Sequence, residues 1–130
     1  MGEQVVPAVN QVQWHVGMGP DKGGIKAYCD AKGIALQAYS PLNVGTPGAA
    51  ATLINGDLVT EIGAAHGKTG PQVALRWVWQ SGVPLATRST KRQHLADNLD
   101  ILTWSLSDEE MARLDAATEP AADYSFMCTV

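Results

Sequence analysis

Residues 83–98 read VPLATRSTKRQHLADN. A short apolar run, Val83 to Ala86, stops at Arg88-Ser89-Thr90, and a helical pattern opens with Lys91 and Arg92. This is a strand running directly into a helix. Helix N-termini carry a partial positive charge that favours acids and mildly repels cations, yet Arg88, Lys91 and Arg92 all surround this one. Either these cations reach into solvent or an anion sits among them.

Two further runs share the form of 83–89. They are PAVNQVQW (7–14) and IALQAYS (34–40), each apolar and each ending in polar or turn-forming residues. Helical patterns separate them. DKGGIKAYCDAKG (21–33) places Ile25, Tyr28 and Cys29 on one face and closes at Gly33, a residue suited to the position after a helix. GDLVTEIGAAHG (56–67) offers Leu58, Ile62 and Ala65 and closes at Gly67. In TGPQVALRWVWQSG (69–82), Thr69 and Gln72 have capping-box spacing, and Val73, Ala74, Trp77 and Val78 form the buried stripe. SLSDEEMARLDAA (105–117) repeats the box with Ser107 and Glu110, with Leu106 and Met111 as a hydrophobic staple. Thr90 and Gln93 have the same spacing. The uncharged stretch from Gly33 to Gly56 reads as a strand and a long loop, because Gln37, Pro41, Asn43, Pro47 and Asn55 interrupt it.

Strands alternating with helices imply parallel strands joined by right-handed crossovers. The candidates are a (β/α)₈ barrel and an open doubly wound sheet. GMGPDKGG (17–24) has the glycines of a dinucleotide fold but not the G-x-G-x-x-G spacing, which disfavours the second. In barrels a phosphate site often forms after the last strands, at a helix N-terminus. Residues 88–93 occupy such a place.

Composition sets broad bounds. The 130 residues are 45% hydrophobic and 17% charged, the balance of a globular domain. A net charge of −4 argues against nucleic acid as a partner. Cys29 and Cys128 are far apart and read as free thiols of a reducing compartment, cytoplasmic by default or organellar if a transit peptide is removed. The start MGEQVVPAV is too short and acidic for a signal peptide, and Val6 stands where a myristoylation signal has Ser or Thr. No stretch reads as a membrane span.

NQVQWH (10–15), IALQAYSPL (34–42), GPQVALRW (70–77), TRSTKRQHLADNLDI (87–101) and LSDEEMARLD (106–115) together resemble the C-terminal half of an aldo-keto reductase. The resemblance runs from about Pro7 to Ala117, between an N-terminal extension (1–6) and a tail (118–130). It implies an α/β fold, a partial (β/α)₈ barrel of three parallel strands with outer helices, from a family that reduces carbonyls with NADPH. It gives Gln11 the nicotinamide carboxamide and Tyr39 the nicotinamide face. Ser40 and Leu42 fall on the pyrophosphate path. Arg88, Ser89 and Thr90 match the stretch that holds the 2′-phosphate, and Asp97 and Asn98 the pair that meets the adenine. Two positions depart from the pattern: Arg88 replaces a lysine, and His94 replaces an arginine with a weaker, pH-dependent cation. The implied NADP(H) affinity is therefore weak, with Lys91 or Arg92 as the available substitutes.

The same resemblance places the family's tyrosine, lysine, aspartate and histidine in the first four barrel strands, outside these 130 residues. Nothing else supplies a catalytic set. Tyr28 and Tyr124 have no Lys–Asp pair at a matching spacing. His15, His66 and His94 show no zinc pattern, so no metal is expected. Ser40 and Ser89 lack G-x-S-x-G surroundings. His15, after a strand end, is a candidate pocket residue, and Trp79 a candidate for a helix neighbour or a partner. The expectation is a truncated reductase that does not catalyse alone, or else a non-catalytic accessory subunit. Three parallel strands expose two edges and one bare face, so a covering protein partner is expected, either a second copy or a larger complex.

Overall fold

The computed structural model describes residues 5–43 and 49–119. Gly2, Tyr124, Cys128 and most of both expected terminal segments lie outside the described residues. The elements run β1 (Val9–Gln13), α1 (Ile25–Lys32), β2 (Ala35–Tyr39), α2 (Ala49–Asn55), α3 (Asp57–His66), α4 (Gly70–Gln80), α5 (Arg92–Asp100) and α6 (Asp108–Asp115), with a 3₁₀ turn at Lys22–Gly24.

β1 and β2 pair in parallel, from Val9 opposite Ala35 to Gln13 opposite Tyr39. The third expected strand is present only as a parallel bridge between Ala38 and Leu85. The Ala38 N–H donates to the Pro84 carbonyl at 2.8 Å, and the Ala86 N–H to the Ala38 carbonyl at 2.9 Å. Pro84 has no N–H to give a ladder, and no strand lies on the far side among the described residues. The chain therefore leaves the sheet after Ala86. Three strands become two and a bridge, with the parallel sense as expected.

Side chains alternate across these strands, and the two faces have different fates. Leu36 and Ala38 are buried beneath the helices, with Trp14 at the strand end. On the other face Val9, Gln11 and Ala35 are exposed and Gln37 and Tyr39 half-buried. That face is the one a complete barrel would turn inward.

The helices hold together through one apolar cluster. Val59 and Ile62 of α3 meet Val73, Ala74, Trp77 and Val78 of α4, with Leu106 just before α6 and Leu114 within it. Both capping boxes form, at Thr69/Gln72 and Ser107/Glu110. Leu106 is in the core and Met111 packs against it, as a staple requires. Gly70 is the close approach of the fold: a Cβ there would lie 2.5 Å from the Ile54 carbonyl oxygen, so α2 and α4 touch backbone to backbone.

Four local expectations need correction. Tyr28 is 57% exposed, because only Cys29 of α1 turns fully into the core. Ala65 is exposed; the inner face of α3 is Val59, Ile62 and Gly63. The long loop before Gly56 contains α2, whose seven residues, AAATLIN, are mostly apolar and span only about two turns, too short to show a helical period. Thr90 and Gln93 form no capping box: the α5 N-cap is Lys91, with no side-chain cap. Gln93 instead donates to Asp97 Oδ1 at 2.8 Å.

Candidate functional site

The C-terminal end of β2 leads into an unusual turn. Ser40 and Asn43 have φ of 49° and 46°, left-handed values that cost L-residues energy. The Asn43 N–H donates to the Ser40 carbonyl at 2.8 Å, and Asn43 Oδ1 accepts from Gln13 Nε2 at 3.2 Å. This anchors the turn to the end of β1 and sets Pro41 and Leu42 across from the Ala86–Arg88 segment. His15 completes the buried group. Its Nδ1 lies 2.7 Å from the Val16 carbonyl and its Nε2 3.4 Å from Gln13 Nε2, a geometry that the Nδ1–H tautomer satisfies. His15 lines neither cleft described below and serves as a buried structural group.

Two adjoining clefts open beyond these strand ends. One, of about 390 Å³, is lined by Ser40, Pro41, Leu42, Ala86, Thr87 and Arg88. The other, of about 480 Å³, gathers Leu42, Arg88, Ser89, His94, Asp97 and Asn98, together with residues of α2 and the start of α4. Leu42, Thr87 and Arg88 belong to both. Six of the ten residues singled out by resemblance thus meet in one cleft, and Ser40 in its neighbour. Thr90 lines neither cleft. Gln11 and Tyr39 stand apart on the bare sheet face, where Gln11 Nε2 donates to Gln37 Oε1 at 2.7 Å.

The charged lining of the larger cleft is Arg88 and Asp97, with His94 beside them, while Lys91 and Arg92 stand at the start of α5 and line neither cleft. Arg88, Lys91 and Arg92 are exposed, and none forms an ion pair among the described residues. The first turn of α5 holds no acid and no side-chain cap, so its N–H groups keep their positive end unopposed. Ser89 Oγ accepts from the Lys91 N–H at 3.1 Å, and Asn98 Nδ2 donates to Thr87 Oγ1 at 3.1 Å. These bonds tie the loop to the helix. Among the described residues no group of His, Cys, Asp or Glu could hold a metal ion.

Sequence reading missed the far wall of the cleft. Ile54, Asn55, Thr69, Pro71 and Gln72 line it, and none had been given a role there. Gln72 was legible only as a capping residue, yet its Nε2 donates to the Asp97 carbonyl at 3.2 Å and to Asp100 Oδ2 at 2.8 Å. Asp100 also accepts from Lys68 Nζ at 2.6 Å and Thr103 Oγ1 at 2.8 Å. The Lys68 bond, then that of Thr103, holds the Asp100 carboxyl below the ordinary carboxylate range. A depressed folded pKa adds stability above the unfolded value, near 3.9, that is lost as pH falls through the folded one. Asp100→Asn should therefore lower the urea midpoint at pH 7 and flatten its decline below about pH 4. An unchanged acid limb would reject this role.

On the opposite side, His66 Nε2 lies 2.8 Å from Glu110 Oε1, joining α3 to α6. Burial pushes the Glu110 carboxyl up, but bonds from Ser107 and His66 outweigh it and leave it below the usual range. This pair lies outside the clefts and is structural.

The aldo/keto reductase family model matches residues 2–119. The 7-acetyl-epi-neemfruitin B aldo-keto reductase of Melia azedarach is 38% identical over 113 residues, covering 86% of this chain and 35% of its own. The aldose reductase structure from Schistosoma japonicum superposes with a TM-score of 0.75 at 27% identity, over 88% of this chain and 35% of that one. A variant of the protein Gox0644, crystallised in complex with NADPH, superposes with a TM-score of 0.71 at 26% identity, over 85% of this chain and 38% of that one. The chain thus spans about a third of the length of the curated relatives it matches. Among the described residues no helix is long and apolar enough to cross a membrane. With its parallel strands, outer helices and cleft at the strand ends, the chain belongs to the aldo/keto reductase family.

Proposed function

We propose that this chain contributes the adenosine-phosphate portion of an NADP(H) site and does not reduce carbonyls by itself. The observation that carries the reading is the convergence of Arg88, Ser89, His94, Asp97 and Asn98 on one cleft. An exposed guanidinium beside an uncapped helix start fits a phosphate, through charge and its bidentate fork. Asp97 and Asn98, half-buried in the same wall, offer polar groups to an adenine.

The nicotinamide end fits less well. Gln11 is already bonded to Gln37, and Tyr39 lies on a face with no opposite wall among the described residues. NADPH supplies a hydride when bound, but reduction also needs a proton donor. Tyr28 and Tyr39 have no hydrogen bond to a lysine or aspartate among the described residues. The chain therefore binds and orients one end of the cofactor and holds no poised acid.

Calorimetry of the 130-residue chain with NADPH and NADH tests this. NADPH should bind weakly, more weakly still as salt screens the exposed cations, and without being consumed when glyoxal is added. Arg88→Ala should weaken NADPH about tenfold, the worth of one charge-assisted contact, and leave NADH nearly unchanged. Equal losses for both cofactors, or turnover that survives purification, would reject the proposal. A folded chain that binds neither cofactor would favour the accessory-subunit reading.

A further inference from the structure

Helix α5 carries three residues of the larger cleft, His94, Asp97 and Asn98, yet none of its residues is buried. Its nine residues are too few to form a stable helix without tertiary support. Polar ties therefore set its position. Lys68 Nζ holds Asp100, the last residue of the helix, at 2.6 Å, and Arg76 Nη1 holds the Ile101 carbonyl just beyond it at 2.7 Å. Asn98 Nδ2 meets Thr87 Oγ1 on the segment before the helix. The tie that reaches back toward His94 is the bond from Gln72 Nε2 to the Asp97 carbonyl at 3.2 Å.

Gln72 is 5% exposed and engages its whole amide. Oε1 accepts from the Thr69 N–H at 2.9 Å and from the Thr69 hydroxyl at 3.1 Å. Nε2 donates to the Asp97 carbonyl and to Asp100 Oδ2 at 2.8 Å, which accounts for both of its N–H groups. The oxygen thus serves the start of α4, and the nitrogen serves α5. A capping box needs the oxygen alone, and glutamate supplies it as well as glutamine does. The nitrogen is free for a second task. Thr69 and Gln72 line one wall of the cleft and Asp97 the other, so this one side chain joins the two walls.

Resting on the cofactor reading above, we infer that Gln72 is a positioning residue for the cleft. Through Nε2 it fixes how far α5 stands from the start of α4, and so where His94, Asp97 and Asn98 meet the adenosine end of NADP(H). It acts through α5 and its bonds to Asp97 and Asp100.

The test is calorimetric titration of the parent chain and its variants with NADPH and NADH, well below their melting temperatures, with hydrogen exchange on the same samples. Gln72→Glu keeps the cap and removes the nitrogen. Gln72→Met removes both and adds no charge. What the two share is the loss of the bonds to α5, so each should weaken NADPH and NADH alike, by about tenfold. Exchange should quicken across residues 94–98 in both, with α3 unchanged. A glutamine that only stabilised the fold would lower the melting temperature and leave the affinity of the folded chain as it was. Combining Gln72→Glu with Asp100→Asn swaps acid and amide between the helices at the parent's net charge, so the new amide can donate to the new carboxylate. That double variant should recover to within about threefold of the parent. Parent-like affinity in both single variants overturns the inference and leaves the cofactor reading standing. So does a loss confined to Q72E, which would be repulsion by the added charge, a loss confined to NADPH, which would be a phosphate contact, or a double variant no tighter than Q72E. A parent that binds neither cofactor rejects the reading itself, and this inference with it.

Discussion

Trp77→Ala is expected to destabilise the chain by about 3–5 kcal/mol, the usual cost of truncating a buried aromatic residue. Trp77 is fully buried at the centre of α4, in the cluster that α3 and α6 share. Its indole also bridges helices, since Nε1 donates to Asp115 Oδ1 at 2.8 Å. Alanine removes both the packing and the bond. Trp77→Phe keeps most of the apolar volume and loses the bond, so it should cost only about 1–2 kcal/mol. Thermal melts of the three chains separate the terms, with a fall on the order of 10–20 °C for W77A. Equal melting temperatures for W77A and the parent would mean that this helix does not organise the core.

Arg76→Met should cost about 3 kcal/mol, through hydrogen bonds to a charged group and the carbonyl left behind. Arg76 lies on the same helix, 9% exposed, and its guanidinium fastens the segment between α5 and α6. Nη1 donates to the Ile101 carbonyl at 2.7 Å, Nη2 to Ser105 Oγ at 3.0 Å, and Nε to Gln80 Oε1 at 3.0 Å. Gln80 extends the strap, accepting from the Leu106 N–H and donating to the Leu106 carbonyl. Burial lowers the Arg76 pKa, but an arginine stays charged through the neutral range. Methionine preserves the apolar stem and strands the Ile101 carbonyl in the core. Hydrogen exchange should show faster exchange across residues 101–106 in R76M, with α3 unaffected. Faster exchange spread evenly over all helices would show a global effect instead.

These two residues also show where sequence reading stops. Trp77 was legible as core, because it falls on the apolar period of 70–80 with Val73, Ala74 and Val78. Arg76 was not, since a charged residue between buried neighbours reads as solvated until the carbonyl it meets is known. The same limit governs the cleft. Arg88, Ser89, Asp97 and Asn98 stand in a contiguous motif and could be found. Gln72, Asn55 and Ile54 reach the cleft from two other helices, and no spacing links them to it.

By itself the sequence determined the alternation of strands and helices apart from α2, the parallel sense of the strands, and the capping boxes at Thr69/Gln72 and Ser107/Glu110. Each depends on short-range signals: apolar period, strand–helix alternation, and side chains within three residues of the N–H groups they satisfy. Only the tertiary structure decided that the third strand is a single bridge, because a ladder depends on neighbours far along the chain as well as on β-forming residues. It also decided that Thr90 and Gln93 do not cap α5, where Asp97 draws Gln93 away. And it alone separated Gln11 and Tyr39 from the cleft while bringing Ile54, Asn55 and Gln72 into it. The physical reason is that a strand alternates its side chains between two faces: position along the chain says which residues share a face, and packing alone says which face is covered.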